Sequence, residues 1–599
     1  MTAKNKWNLT PLYKGDTDPK LKSDLAKIKT AGLMLAARWR GHNDWLADPK
    51  ILRQALDEYE TWARELSTSG KAGFYLSLRL AQDENNNQLK ALKTKVRDVA
   101  MVVGNELEFF TNRLSKLDRD EQERLLMAGE LKPYRHFLER LFATGQYTLS
   151  EPEEKILTLK SAGSHERWVD MTSSFLAAES AVVLTPKGQK TRQPLSVISS
   201  LTSHRKKAVR DSAAVAFNQI IMRQALVAEH ELNALLEDKK VNDELRGFKR
   251  PDAGRHLGDD IETATVDALL KAVSANFEIA QRYYKLKAKL LGVKKLKYYE
   301  RNLPINRTTT TYHWSAAIKL VAQSLTQLDP EFGAIVKQFL DQGRFDVYPR
   351  SGKSSGAFCA SNLLAQPVYV MLNHTNELRD VLTLAHEMGH AINYELMRKN
   401  CHALDFDTSL ATAEVASTFM EDFVLERLIH KVGQRERLVL IMAKLNDDVS
   451  SIFRQVACYL FEQELHATYR LKGYLSKEEI GQIFKKHMRA YMGPAVEQTV
   501  GMAENWWVYW SHIRNHFYVY SYASGLLISK ALQAKLRQDE RFMEQIKEFL
   551  SAGMSASPET LFNRMRVDIT DPKTWTQGLK EVELLLVEAE NLTKKLDKK

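Results

Sequence analysis

Residues 48–70 read "DPKILRQALDEYETWARELSTSG", and the way this stretch is punctuated decides how most of the chain should be read. Asp48 suits the position just before a helix, where its carboxylate can accept a free backbone N–H. Pro49 suits the first helical position, and Gly70 the place beyond the end. Between them Leu52, Leu56, Tyr59, Ala63 and Leu66 fall on one stripe at helical period. The spacing predicts an amphipathic helix closing near Gly70. The same grammar recurs from about residue 20 to 180, and no repeat of fixed length runs through it, which disfavours a solenoid.

Composition agrees. The 27 glycines and 15 prolines in 599 residues fall below the usual ~7% and ~5%, so turns are few and helices long. Hydrophobic content of 44% and charged content of 27% suit a globular chain too long for a single core. The net charge of +11 is a mild excess of 86 basic over 75 acidic residues. The basic stretch from Arg282 to Arg307 reads better as the lysine-bearing solvent face of a helix than as a nucleic-acid patch. Cys359, Cys401 and Cys458 lie far apart, which excludes a disulfide framework or a cysteine zinc module. The opening "MTAKNKWNLTPLYKGD" lacks the apolar run of a secretory signal, and no stretch approaches a membrane span. The expected address is the cytoplasm.

The character of the chain changes twice. "LTPKGQKTRQP" (184–194) reads as a loop and as the best domain boundary, giving an N-terminal helical domain over 1–190 and a catalytic domain over 191–599. Between Lys297 and Asn373 the helical period is lost. Val368, Val370 and Leu372 there alternate with Tyr369 and Met371, which predicts a short strand. The expected fold is therefore mostly α, with a small β-sheet just ahead of "LTLAHEMGHAINYEL" (382–396).

That last segment carries the chemistry. At 3.6 residues per turn, His386 and His390 leave one helix face a turn apart, so both imidazoles can reach one ion. Glu387 would approach the ion's open side. Thr375 or Asn376 can cap the helix, and Val381, Leu384, Met388 and Ile392 supply its buried positions. In a chain with 16 histidines the bare HExxH pattern also arises by chance, so a third ligand must be found. Asn393 and Leu396 stand where a metzincin needs glycine and histidine, which excludes that class. Glu414 leads the candidates: it lies in "DTSLATAEVASTFMEDFVLERL" (407–428), read as a helix capped by Asp407 or Thr408, among alanines and a serine that would let two helices approach closely. Cys401, His402 and Asp407 are rivals from the intervening turn. Glu421, seven residues on, could orient a ligand or stand free in solvent.

Taken together and in this order, "WNLTPLY" (7–13), "GKSSGAFCAS" (352–361), "LRDVLTLAHEMGHAIN" (378–393), "TAEVASTF" (412–419) and "HIRNHFYVYSYASG" (512–525) resemble the oligoendopeptidase F branch of the thimet oligopeptidase family. The resemblance implies a mostly helical body with two lobes flanking a deep cleft, and one Zn2+ held by His386, His390 and Glu414. It implies Glu387 as general base, and His512, Tyr518 and Tyr522 as groups facing the transition state. His516 is a rival to His512. Tyr518 and Tyr522 are four apart, so a helix would put both phenols on one face. The stretches 356–358 and 367–372 could offer a sheet edge to an extended peptide.

The expected activity is zinc-dependent hydrolysis of internal bonds in short oligopeptides, with neither nucleic acid nor membrane as partner. A metallo-exopeptidase of carboxypeptidase type with the same zinc core is the alternative. A basic helical nucleic-acid-binding protein is a remote one. The sequence assigns no oligomeric state and no subsite preference.

Overall fold

The helix read from residues 48–70 forms, but it ends early. In the computed structural model, which describes residues 5–306, 310–499 and 501–597, it spans Pro49–Glu65. Asp48 caps it, accepting the Lys50 N–H at 2.8 Å. The Leu66 and Ser67 N–H groups both return to the Trp62 carbonyl at 2.9 Å, and Ser67 turns left-handed (φ +53°). Gly70, expected beyond the end, instead opens the next helix, Gly70–Gln82. Gly70 takes φ +54°, a left-handed conformation that glycine adopts without strain. Of the expected stripe, Leu52 and Leu56 are fully buried, and Tyr59, Ala63 and Leu66 pack at the margin of the core.

The fold is mostly α, as expected, with three small sheets among the described residues. Arg307 of the basic stretch, Thr308, Thr309 and residues 1–4 of the opening lie outside those described. By contacts the chain forms two compact units, each built from three segments. One comprises Met1–Gln146, Thr309–Lys431 and Lys535–Asp568; the other comprises Tyr147–Thr308, Val432–Ala534 and Ile569–Lys599. A sequential division at 190/191 is a separate statement about the chain and stays a proposal.

The first unit holds the three-stranded sheet. Tyr369–Met371 is its central strand, parallel to Phe345–Asp346 and antiparallel to Phe358–Ala360. Val368, Tyr369, Val370 and Met371 are all buried, so the alternation seen in the sequence reflects a strand covered on both faces. Because this strand is central, residues 367–372 offer no edge; Phe358–Ala360 does. The N-terminal segment seals the other side. Trp7 Nε1 donates to the Val370 carbonyl at 2.9 Å, and the Tyr369 hydroxyl donates to the Asn8 carbonyl at 3.0 Å. Asp346, with no exposed surface, accepts hydrogen bonds from Arg350 at 2.7 Å and Gln82 at 2.8 Å and pairs with Lys353 at 2.8 Å. These bonds tie the sheet to the helix Gly70–Gln82.

In the second unit, "LTPKGQKTRQP" is not a loop. Ser180–Leu184 and Lys190–Pro194 pair as an antiparallel hairpin, its turn made possible by Gly188 at φ +83°. The pairing rests on β-branched residues at 182, 183 and 191, a signal too short to register as a strand. Part of the basic stretch is paired: Arg282 reaches Glu583 at 2.5 Å and Glu590 at 3.2 Å, Lys289 reaches Asp597 at 2.7 Å, and Lys297 reaches Glu497 at 2.7 Å. Three of these carboxylates come from the C-terminal helix Pro572–Asp597. No helix among the described residues is long and apolar enough to cross a membrane.

Candidate metal centre

The HEMGH motif lies within the helix Leu378–Asn400. Its cap is Glu377, not Thr375 or Asn376. The Asp380 carboxylate gathers the Glu377 N–H at 2.9 Å and the Thr375 N–H at 2.7 Å, closing the helix start. Val381, Leu384, Met388 and Ile392 are all fully buried. That burial fixes the rotation of the helix and presents His386 and His390 together, with ring centroids 5.0 Å apart at 81°.

The segment carrying Glu414 folds differently from its reading as a single helix from residue 407. The helix starts at Val415 and runs to Ile429; Glu414 stands at its cap position, and residues 407–413 are irregular. The physical reason is local. The Thr412 and Ala413 N–H groups return to the Ser409 carbonyl at 2.9 Å and the Val415 N–H to the Thr412 carbonyl at 3.0 Å, so turns occupy the stretch ahead of the helix. Glu414 is thereby held at a helix start, and the Ser417 hydroxyl donates to its Oε2 at 2.8 Å. Glycine in the motif permits the approach. A Cβ on Gly389 would lie 2.5 Å from the Ala416 carbonyl oxygen and 2.5 Å from the Ser417 Cα.

These two elements bring His386, His390 and Glu414 together, each offering a ligating atom within 4.8 Å of the others. Glu414 Oε2 lies 3.4 Å from His386 Nε2 and 3.6 Å from His390 Nε2. Ligands about 2.0–2.1 Å from a tetrahedral ion stand roughly 3.3–3.4 Å apart, so the residues fit a small divalent cation. Their side chains are 27%, 20% and 32% exposed, which leaves one side of the set open. Glu421, left open between two roles by the sequence, accepts from His386 Nδ1 at 3.1 Å and so turns Nε2 toward the set. None of the three rivals joins the set: Cys401 donates to the Ser551 carbonyl at 3.1 Å, His402 lies 3.3 Å from Asp405, and Asp407 accepts the Thr408 N–H at 2.8 Å.

Electrostatics point the same way. Burial disfavours charge on His386, but hydrogen bonds and charge from Glu414 and Glu421 outweigh it and raise its pKa to about 10. Burial also opposes ionisation of Glu414, yet His386 and His390 hold it down at about 2. Burial dominates at His390, which is pushed down to about 4. The cluster thus favours positive charge between the two imidazoles and the carboxylate. Glu387 is 7% exposed, and burial raises its carboxyl to about 7, against the charge of His386. The backbone at Cys359, from the edge strand, acts weakly the other way and favours the carboxylate.

The other predicted residues belong to the second unit. His512 lies in the short turn Ser511–Asn515 and hydrogen-bonds through Nδ1 to the Tyr518 hydroxyl. Ring centroids of His512, Tyr518 and Tyr522 stand 5.3–6.0 Å apart. The following helix begins at Tyr520, so Tyr518 precedes it and helical spacing does not account for the pairing of the phenols. Burial, with Arg454 nearby, lowers the His512 pKa; burial and a hydrogen bond with Tyr522 raise that of Tyr518. His516, the rival, points into a different buried group with Glu462 and His466. That group was missed in the sequence, although Glu462 and His466 share the four-residue spacing of the HEMGH histidines.

The profile of a family described as Peptidase family M3 matches residues 200–581, and one described as Oligopeptidase F matches residues 113–177. An oligoendopeptidase F homolog of Lactococcus lactis subsp. lactis is 24% identical over 99% of this chain and 98% of its own. Two crystal structures share the fold. A candidate peptidase from Chlamydophila abortus has TM-score 0.85 at 22% identity, covering 99% of both chains. Oligoendopeptidase-F from Enterococcus faecium has TM-score 0.72 at 19% identity, covering 96% of this chain and 99% of that one.

Proposed function

The chain belongs to peptidase family M3, on its oligoendopeptidase F branch, and from that membership we propose a zinc-dependent endopeptidase cutting internal bonds of short oligopeptides in the cytoplasm. Peptidase action on oligopeptides goes with the family. The identity of the ion and the assignment of residues are our reading.

The observation that carries it is the separation of 3.4 Å and 3.6 Å between Glu414 and the two imidazoles, with buried Glu387 next to His386 in sequence. His386, His390 and Glu414 hold one Zn2+, the ion that two imidazoles and a carboxylate suit best. When bound, the ion supplies Lewis acidity toward water and the scissile carbonyl. Glu387 removes a proton from the attacking water and passes it to the leaving amine nitrogen. Glu421 fixes the tautomer of His386. To His512, Tyr518 and Tyr522 we assign hydrogen-bond donation to the oxyanion that develops at the carbonyl; the resemblance and their mutual clustering support this. Main-chain hydrogen bonds at the Phe358–Ala360 edge would bind extended peptides of many sequences.

An internally quenched peptide blocked at both termini tests the proposal. Cleavage that stops on chelation and returns with Zn2+ is expected. Resistance of the blocked peptide beside trimming of free peptides would establish an exopeptidase.

A further inference from the structure

We propose that Glu462, His466 and His516 form a second site for a divalent transition cation, which clamps the segment carrying His512 and Tyr518. Glu462 and His466 leave the same face of the helix Arg454–Lys472 one turn apart, and His516 follows the short turn Ser511–Asn515. One ligating atom from each lies within 4.8 Å of the others. The donor set is again two imidazoles and a carboxylate. The two rings stand 5.3 Å apart at 85°, close to the 5.0 Å and 81° of the HEMGH pair.

Three further observations separate this group from an ordinary polar cluster. Glu462 has no exposed surface and His466 only 2%. Glu462 Oε1, His466 Nε2 and His516 Nδ1 are all buried and, among the described residues, none has a hydrogen-bond partner. Each member of a group gathered within 4.8 Å thus carries a buried polar atom without a partner, and buried polar atoms are normally satisfied, so the group calls for an occupant. The backbone is also bent to place the third donor. His516 and Phe517 are consecutive non-glycine residues in the left-handed region, at φ +39° and +59°. Glu462 holds that bend, accepting the Phe517 N–H on Oε2 at 2.7 Å and leaving Oε1 free for the cation. Lys239 and Arg470 are the nearest positive groups on His466. Both pair with Asp243, Arg470 at 2.5 Å, so their charge is partly cancelled before it reaches the cluster.

The whole group lies in the second unit and the HEMGH set in the first, so the two sites can be counted separately. The site does not depend on the assigned peptidase mechanism. The test is metal analysis of the full chain after stripping, reloading with Zn2+ or Co2+, and passage over a weak chelating resin. Two equivalents are expected for the unsubstituted protein. His386→Ala/His390→Ala, which leaves the buried cluster untouched, should keep one, and His466→Gln should also keep one. In the double variant the remaining equivalent should slow amide hydrogen exchange across residues 511–520. A single equivalent in the unsubstituted protein, or none in the folded double variant, overturns the second site. A retained equivalent with unchanged exchange overturns the clamp.

Discussion

Gly389→Ala asks whether backbone contact between two elements sets the ligand geometry. The added Cβ would lie 2.5 Å from the Ala416 oxygen, 2.5 Å from the Ser417 Cα and 2.9 Å from the Ala416 carbonyl carbon. Ordinary contacts of this kind are about 3.5–4.0 Å, so the elements must part by about 1 Å. All three atoms are backbone, and no side chain can rotate away. Overpacking of this kind costs about 1–3 kcal/mol. Glu414 sits two residues before Ala416, so the displacement reaches a carboxylate now 3.4 Å and 3.6 Å from its imidazole partners. Metal sites tolerate about 0.2 Å in ligand distance. Zinc affinity should therefore fall at least tenfold, equivalent to about 1.4 kcal/mol, with a lower unfolding temperature. Competition against a chelator of known affinity measures the first and calorimetry the second. Gly258→Ala, where a Cβ meets nothing within 4 Å, is the control. Zinc affinity for Gly389→Ala within twofold of the unsubstituted protein would refute the reasoning.

Four further outcomes follow from the same geometry. Glu387→Gln should retain zinc while kcat falls about 10²–10⁴-fold; loss of metal with activity intact would remove Glu387 from its role. Glu421→Ala should weaken zinc binding about 10–100-fold by freeing the His386 tautomer, as judged by the same competition. Glu414→Ala should lower zinc occupancy at the HEMGH set, and undiminished binding there would show that Glu414 is not a ligand. Asp346 tests a charge remote from chemistry. Burial raises its pKa, but Arg350, Lys353 and Gln82 together lower it below the ordinary 3.8. A carboxylate depressed in the folded state stabilises above its unfolded pKa, and that stability is lost as pH falls through the folded value. Below about pH 4 the unsubstituted protein should lose stability, and Asp346→Asn should be less stable at pH 7 with a flatter acid limb in urea unfolding.

Helical periodicity is a local property, and wherever the argument depended on it alone the sequence was sufficient. Leu52 and Leu56 are buried as the stripe required, and so are Val381, Leu384, Met388 and Ile392, which fix how His386 and His390 face. The small residues around Glu414 likewise announced a close approach, realised against Gly389. Ends of elements were not legible in the same way. That Gly70 opens a helix instead of closing one is not written in the 48–70 stretch, and whether Glu414 is mid-helix or at a cap depends on the turns at Ser409 and Thr412. The hairpin at 180–194 and the burial of both faces of Tyr369–Met371 come from partners distant in the chain.

The sequence by itself determined the helical class, the HEMGH face and the candidate ligands, because spacing along a helix fixes direction without help from elsewhere. Only the tertiary structure decided that Glu421 orients His386, that Glu387 is buried, and that Glu462, His466 and His516 gather in one group. Each of those meetings needs a residue from another segment, and no local pattern records which of many carboxylates and imidazoles burial will bring together.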